Sequence, residues 1–395
     1  MLSFTIGVGY DAFRTFILVV IDKNSFLDTS TFYKLLVTSK EMYKIVIRKP
    51  IQVRLSKKLF CSFMNSKIKY DIVIFDLSRD KDKIDPENHN TISFTRMLNH
   101  VQSLSLTQFT RLTKLDLSYN KIGLDGAKEL AKVLKLKQFT SLTHINLKSN
   151  NIGTDGANSL KEVFELCKNL TYLNLGYNLI GDKIKSIGLY TSLTYLNLRY
   201  NGPDYSGIKD LSLLDQCSQL TYLNLSSNDI GLNLYPFKVN EFENLSVLNQ
   251  CSQLTYLNLS SNCLGYTGAK ILAEILVNAH CYYNRVLSHL NLSHNFIEST
   301  GAKSLAEMLK NNNPPLTHLD LSYNQIQLDG AIKLAEVLLY RQEVVNHPPY
   351  QTLAYLDLSH NMIGSDSAKF FAKLAIKHLD LRSNRIGPNR VLHYD

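Results

Sequence analysis

The sequence contains no tryptophan and only six cysteines among its 395 residues, and it lacks any long apolar run. A membrane helix needs roughly 18 consecutive apolar residues. The apolar run at residues 16–21 is much shorter and ends at Asp22. It has neither a basic stretch before it nor a small-residue cleavage site after it, as a secretory signal would. We therefore expect a cytoplasmic protein with no membrane span.

The cysteines do not form any Cys-x-x-Cys pair, so the common zinc and dithiol motifs are excluded. Cys167, Cys217 and Cys251 each stand three residues before a leucine of a recurring pattern. This equivalence predicts small buried core residues in a reduced protein rather than metal ligands. Catalytic signatures are also missing, because the sequence has no Gly-rich phosphate loop and no His-Glu-x-x-His. We expect a chain that is not an enzyme and needs no cofactor.

What the sequence does contain is the pattern Leu-x-x-Leu-x-Leu-x-x-Asn, which Leu220, Leu223, Leu225 and Asn228 illustrate. It occurs ten times, at intervals of 23 to 37 residues. The asparagines that end the copies are Asn120, Asn150, Asn178, Asn201, Asn228, Asn262, Asn295, Asn324, Asn361 and Asn384. Pattern and period resemble the leucine-rich repeat family. In that family each repeat is one strand and one return segment, and the asparagines are structural.

The resemblance predicts an α/β fold, a leucine-rich repeat solenoid shaped as a curved horseshoe. Parallel strands would form its concave face and helices its convex face. Six residues after most of the asparagines stands a small pair such as Gly268-Ala269, followed by a helical pattern. We expect these pairs to let each helix approach the strand layer closely. A full helix in each repeat resembles the ribonuclease-inhibitor subclass.

Three regions are predicted. Residues 105–395 form the repeat domain, and residues 70–104 form a degenerate first repeat with Asp80 in the place of the asparagine. Residues 1–69 form a helical region that either caps the solenoid, as solenoid ends require, or resembles an F-box. The F-box resemblance covers residues 26–46, although this stretch lacks the family's opening Leu-Pro and its tryptophan. The positions that would contact a ubiquitin-ligase adaptor are Leu35, Leu36, Lys40 and Tyr43.

Side chains that alternate with the inward leucines should point outward from the sheet. Six residues before the asparagines they are mostly tyrosine or histidine, and four residues before they are asparagine or aspartate. Tyrosine and asparagine suit protein recognition, although duplication of one repeat would produce the same columns. The predicted protein-binding residues are Lys114, Lys148, Tyr172, Tyr195, Arg199, Tyr222, Asn224, Tyr256, His289, His318, Tyr355 and Arg382.

The histidines and aspartates of the later repeats allow a second interpretation of this face. Adjacent strands lie about 4.8 Å apart, so neighbouring histidine and aspartate side chains could bind zinc. A polar ladder at repeat positions is the simpler interpretation, and we expect no metal. The net charge of +9 is uneven, since residues 1–70 carry 12 basic against 4 acidic residues. A solvated basic surface explains this excess, and no motif favours nucleic acid.

The sequence therefore predicts a non-enzymatic interaction scaffold that binds a protein ligand on its concave face. The F-box resemblance offers an alternative, a substrate receptor of a cullin-type ubiquitin ligase. A composition rich in Lys, Asn, Ile and Tyr is compatible with an A+T-rich genome, so a microbial effector acting in the host cytoplasm is a further possibility. Ran GTPase-activating proteins resemble the same repeat subclass and provide the third alternative.

Overall fold

The structure is a computed structural model that describes residues 51–54, 72–76, 112–136, 140–181, 191–202, 211–231, 243–277, 286–310, 316–344 and 353–386. Twelve strands form one parallel sheet in which the spatial order equals the chain order. The strands are β1 Ile51–Arg54, β2 Ile72–Asp76, β3 Lys114–Asp116, β4 His144–Asn146, β5 Tyr172–Asn174, β6 Tyr195–Asn197, β7 Tyr222–Asn224, β8 Tyr256–Asn258, β9 His289–Asn291, β10 His318–Asp320, β11 Tyr355–Asp357 and β12 His378–Asp380.

Helices return the chain from one strand to the next. In the described residues, the α-helices are α1 Gly123–Leu136, α2 Gly153–Leu166, α3 Gly265–Val277, α4 Glu298–Lys310, α5 Gln327–Val344 and α6 Gly364–Phe371, and two 3-10 helices span Ser212–Gln216 and Glu243–Gln250. Helices of consecutive repeats pack side by side, as α3, α4 and α5 do. The predicted solenoid, with its strand layer and its helix layer, is confirmed. Within the described part of the chain, no helix is long and apolar enough to cross a membrane.

The core lies between these two layers and is made by the leucines of the repeat. Leu220, Leu223 and Leu225 are fully buried, and Leu223 aligns with Leu257 of the next strand. Burying a leucine side chain contributes about 1.5–3 kcal/mol, so each repeat gains stability only when a neighbour covers it. Cys167, Cys217 and Cys251 are buried in the same core, as their spacing predicted.

The repeat asparagines satisfy the backbone where each strand ends. The side-chain amide of Asn150 donates to the carbonyls of Leu117 and Leu147, at 2.8 Å in each case. Its Oδ1 atom accepts from the backbone N–H of Asn120 at 2.8 Å. Each asparagine thus joins two coils and satisfies polar groups that the fold has removed from water. The interpretation of these residues as structural agrees with this geometry.

A second ladder, which the sequence pattern did not reveal, runs along the opposite ends of the strands. The Thr143 hydroxyl donates to the carbonyl of Thr113 at 3.1 Å, and the Thr171 hydroxyl donates to that of Thr143 at 3.2 Å. The same hydrogen bond to the preceding repeat recurs, at 3.0 Å each, from the hydroxyls of Thr194, Thr221 and Thr255. From β3 to β10 the two ladders therefore hold neighbouring coils together at both ends of the strands.

The small Gly-Ala pairs let neighbouring helices approach each other closely. A Cβ atom added to Gly301 would lie 2.7 Å from Ile297 Cγ2 and 3.0 Å from Ala269 Cβ. Ala269 belongs to the small pair of the preceding helix, α3. The expected contact with the strand layer does not limit the size of this residue, because none of the three nearest atoms belongs to a strand. Glycine instead lets α4 approach α3.

The sheet extends further towards the amino terminus than the predicted repeats. Strand β2 coincides with the predicted degenerate repeat, and its Phe75 aligns with Leu115 of β3. Strand β1 lies within the region for which the sequence predicted a helical cap or F-box-like segment, and it pairs in parallel with β2. The boundary near residue 70 therefore does not mark the start of the sheet. The F-box-like stretch, residues 26–46, lies outside the described residues.

Candidate functional site

The face of the sheet that points away from the helices carries a continuous stack of rings. The residue six positions before each repeat asparagine supplies one ring, from β4 to β12. Adjacent tyrosine rings of Tyr172, Tyr195, Tyr222 and Tyr256 lie 4.2–4.4 Å apart between centroids. The His289 ring is tilted against Tyr256 at 6.1 Å, and from it the stack continues through His318, 4.0 Å away, to Tyr355. The ring of His378 ends the row, tilted against Tyr355 at 6.5 Å. We call this stack the first ring row.

Stacking half-buries the tyrosines of this row and changes their acidity. Burial raises the pKa of the Tyr195 phenol to about 12, and burial likewise raises the pKa of Tyr222 and Tyr256. All three hydroxyl groups are therefore neutral at physiological pH and can both donate and accept hydrogen bonds. The row combines flat apolar area with neutral polar groups.

A second ring row follows the strands at the position just before each asparagine. It contains Tyr177 and Tyr200, 5.1 Å apart, and Tyr323, which stacks at 4.1 Å on His294 and at 4.0 Å on His360. Tyr200 and Tyr323 are the most open of these tyrosines, with 52% and 43% of their surface exposed. The predicted binding residues did not include this row. Its backbone has a positive φ, so strict strand alternation does not place its side chains.

Amide and carboxylate side chains fill the column between the two rows. Asn224, a predicted binding residue, is only 6% exposed, and its Oδ1 atom accepts from the backbone N–H and the hydroxyl of Ser226 at 2.9 and 2.8 Å. Asn224 thus holds the turn and offers little free surface. At the carboxyl end, Asp320, Asp357 and Asp380 stand on adjacent strands in register.

The four predicted cationic residues differ in their surroundings. Arg382 is bound to Asp380 through Nε at 2.9 Å and through Nη2 at 2.6 Å, and this pairing lowers the pKa of the Asp380 carboxyl. Lys148 places its amino group 5.6 Å from the ring centroids of both Tyr119 and Tyr177. The Arg199 guanidinium carbon lies 5.5 Å from the Tyr177 ring, and Lys114 is exposed on β3. The structure therefore gathers Lys148 and Arg199 around one ring and separates them from Arg382.

The histidines of the later repeats stack rather than converge. The rings of His289 and His318 lie nearly parallel, with an angle of 12° between their planes, and each Nδ1 is within hydrogen-bonding distance of the preceding hydroxyl, Ser288 or Thr317. Metal ligands must instead point their nitrogen atoms at one centre. In the described ranges, no group of three or more histidine, cysteine or acidic side chains could hold a metal ion.

Comparisons with known proteins agree with this architecture. A model described as Leucine Rich repeat matches residues 110–131, 140–161, 166–184, 216–233, 250–273, 283–306, 312–335 and 351–372. A search of curated proteins found no match. Among solved structures, the leucine-rich repeat-containing protein LegL7 from Legionella pneumophila is similar, with 20% sequence identity and a TM-score of 0.41 over 78% of this chain and 91% of that chain.

The matched segments and the sheet coincide. Each of the eight segments contains one strand of the sheet, and strands β6 and β12 continue the same register where the model has no match. Together, the repeated sequence, the asparagine ladder and the family match lead to one conclusion. The chain is a leucine-rich repeat protein.

Proposed function

We propose that the protein is a non-enzymatic interaction scaffold that binds a protein ligand on the concave face of its solenoid. The observation that supports this proposal most strongly is the first ring row, which extends across the face from His144 to His378 with a ring on every strand from β4 to β12. Aromatic side chains held rigidly lose little conformational entropy on binding, and tyrosine also offers a hydroxyl group. Repeat proteins use such extended concave surfaces to bind their partners.

The helix layer, as far as the structure describes it, differs from the strand face because paired charges, not stacked rings, cover its surface. Its exposed charges pair with one another, as Lys333 does with Glu307 at 3.0 Å and Lys135 does with Glu162. A surface of neutralised charges is typical of solvated helices, and such exposed pairs contribute little to stability. The helix lengths, 13 to 18 residues in α1 to α5, also support our assignment to the ribonuclease-inhibitor subclass as part of this proposal.

The test compares two double variants of the full chain that each lose two tyrosine rings. Tyr222→Ala with Tyr256→Ala removes the centre of the first ring row, whereas Tyr266→Ala with Tyr340→Ala removes two exposed rings from helices α3 and α5. Proteins retained from a cell lysate are quantified by mass spectrometry. We expect the concave variant to lose specific partners that the helix variant and the wild-type protein retain.

The affinity of one purified partner then decides the proposal. An interface centre of two aromatic residues predicts at least about tenfold weaker binding for the concave variant. Equal affinity of both variants, with unchanged thermal unfolding midpoints, would show that the partner binds elsewhere.

A further inference from the structure

Two cations on the amino-terminal half of the concave face form a cluster with no counterpart in the other described repeats. They occupy the position two residues before the asparagine, where most repeats have serine. Lys148 stands on one side of Gly176 and Arg199 on the other, because their strands are consecutive. Both cations lie over Tyr177, and Lys114, exposed on β3, adds a third positive charge to the same half of the sheet. We call Lys114, Lys148, Gly176, Tyr177 and Arg199 the cationic surface.

Gly176 places no side chain between the two cations. A Cβ atom at Gly176 would lie 3.3 Å from Asn197 Oδ1 and 3.4 Å from the carbonyl oxygen of Arg199, so the packing below this point is already tight. Every other described repeat has a side chain here. No side chain of the protein therefore stands between the two positive charges.

The protein itself does not neutralise these cations. Among the described residues, neither Lys148 nor Arg199 forms a salt bridge, whereas Arg382 at the equivalent position binds Asp380. The carboxylate of Asp116 on the same half of the face accepts from the Ser118 hydroxyl at 2.7 Å and from Asn146 Nδ2 at 2.8 Å. Two like charges held near one ring repel each other, and an anionic group between them would remove that repulsion.

The opposite half of the face carries the opposite charge. Asp320, Asp357 and Asp380 lie in register on β10 to β12, and only Asp380 is paired with a cation, Arg382. A negatively charged chain would therefore be attracted to the amino-terminal half and repelled from the carboxyl-terminal half. Such a distribution fixes the position and direction of a bound partner more than it adds affinity.

We propose that the cationic surface binds an acidic segment of the protein partner, with a carboxylate placed between Lys148 and Arg199. This inference rests on the proposed function, and it adds the chemistry of the partner to it. The guanidinium of Arg199 supplies paired donors for the carboxylate, and the ammonium of Lys148 supplies a second charge. The tyrosine faces beneath both cations hold them in position.

The test uses fluorescence anisotropy with a labelled octaglutamate peptide and the full-length protein. The variant Lys148→Glu with Arg199→Glu is compared with Lys128→Glu with Lys168→Glu, which changes the net charge equally but lies outside the cationic surface, with Lys128 on helix α1. We expect the concave variant to bind at least about tenfold more weakly and the control to stay within about twofold of wild type. Unchanged thermal midpoints would establish that all variants are folded.

Two results would overturn this inference. Equal weakening by both variants would show that overall charge, not the cationic surface, attracts the peptide. Tighter binding of a labelled oligouridylate than of octaglutamate, lost in the same concave variant, would assign the surface to nucleic acid. If the tyrosine variant weakens binding of a captured partner while Lys148→Glu with Arg199→Glu does not change the affinity for octaglutamate, only this inference fails. If the tyrosine variant binds the partner as tightly as wild type does, the proposed function itself fails.

Discussion

One backbone position in each repeat favours glycine, and two described repeats have a larger residue there. Three residues after the repeat asparagine, five repeats have a glycine with φ between 60° and 71°. Glu298 and Gln327 occupy the same position with φ of 57° and 60°. A left-handed conformation costs a residue with a side chain about 1–2 kcal/mol, a cost that glycine avoids. At this position, Glu298 and Gln327 therefore carry strain that the five glycines avoid.

We predict that Gln327→Gly stabilises the protein by about 0.5–1 kcal/mol, because removing the strain outweighs the greater flexibility of glycine in the unfolded chain. The reciprocal control is Gly364→Gln in the next repeat. Gly364 has φ of 70° and no atom within 4 Å of an added Cβ, so only the backbone conformation should matter there. Urea unfolding should move the two midpoints in opposite directions, and a shift in the same direction would contradict the explanation.

Residue identity predicted the inward leucines and the asparagine ladder because both depend on a fixed spacing along one strand. It predicted the stacked tyrosines and histidines of the first ring row for the same reason. It did not predict the second ring row or the role of Asn224. Those features depend on the turn, where the chain leaves the strand and alternation ends.

At the scale of elements, the packing of α4 on α3 depends on Gly301, which lies where the two helices come closest. A Cβ atom at Gly301 would lie 3.1 Å from the Cα of Tyr266, a backbone atom that cannot move aside easily. Gly301→Val should therefore destabilise the protein by about 1–3 kcal/mol. Thr300→Ala, an exposed position on the same helix, should change stability by less than about 0.5 kcal/mol in the same urea titration. Similar effects of both would show that α4 does not pack closely on α3.

The first ring row should make stability depend on pH. Burial, and then the charge of His318, lower the pKa of His289 below its ordinary value of 6.5. The unfolded chain then binds more protons than the folded protein just below that value, so stability decreases as the pH falls through this range. Burial lowers the pKa of His144 in the same way, with Lys114 as the second cause.

We predict that His289→Tyr reduces the loss of stability between pH 7 and pH 5.5, because tyrosine keeps the stack and does not titrate there. The matched variant is His144→Tyr, which should reduce the loss in the same direction because burial also lowers the pKa of His144. Thermal unfolding at several pH values measures both. An equal pH dependence in wild type and His289→Tyr would show that this histidine does not cause the effect.

At the scale of the whole molecule, the sheet includes a strand that changes how the amino-terminal region must be tested. Deleting residues 1–69 would remove β1 and expose the edge of β2, so loss of a partner could have two causes. Point variants therefore test better whether the amino-terminal region binds a ubiquitin-ligase adaptor. Leu35→Ala with Leu36→Ala in the full chain should abolish capture of a cullin-ligase adaptor. If wild type captures no adaptor, the F-box prediction is wrong.

The solenoid could be predicted from the sequence because each repeat contains the same short pattern of leucines and asparagine. Each repeat packs only against its neighbours, so the pattern of one repeat predicts the packing of the next. The partner could not be predicted in this way. We propose that recognition depends on positions where repeats differ, such as Lys148 and Arg199, which come together only because their strands flank the same neighbouring strand.

The measurement that tests the concave face most directly is oxidative footprinting of the wild-type protein with and without its captured partner. Two tyrosines on the concave face, Tyr200 and Tyr323, and two on the helices, Tyr266 and Tyr340, are 43–52% exposed and should be oxidised at similar rates in the free protein. We predict that the partner protects Tyr200 or Tyr323 and leaves Tyr266 and Tyr340 unchanged. Protection of the helix tyrosines alone would contradict the proposal that the concave face binds the partner.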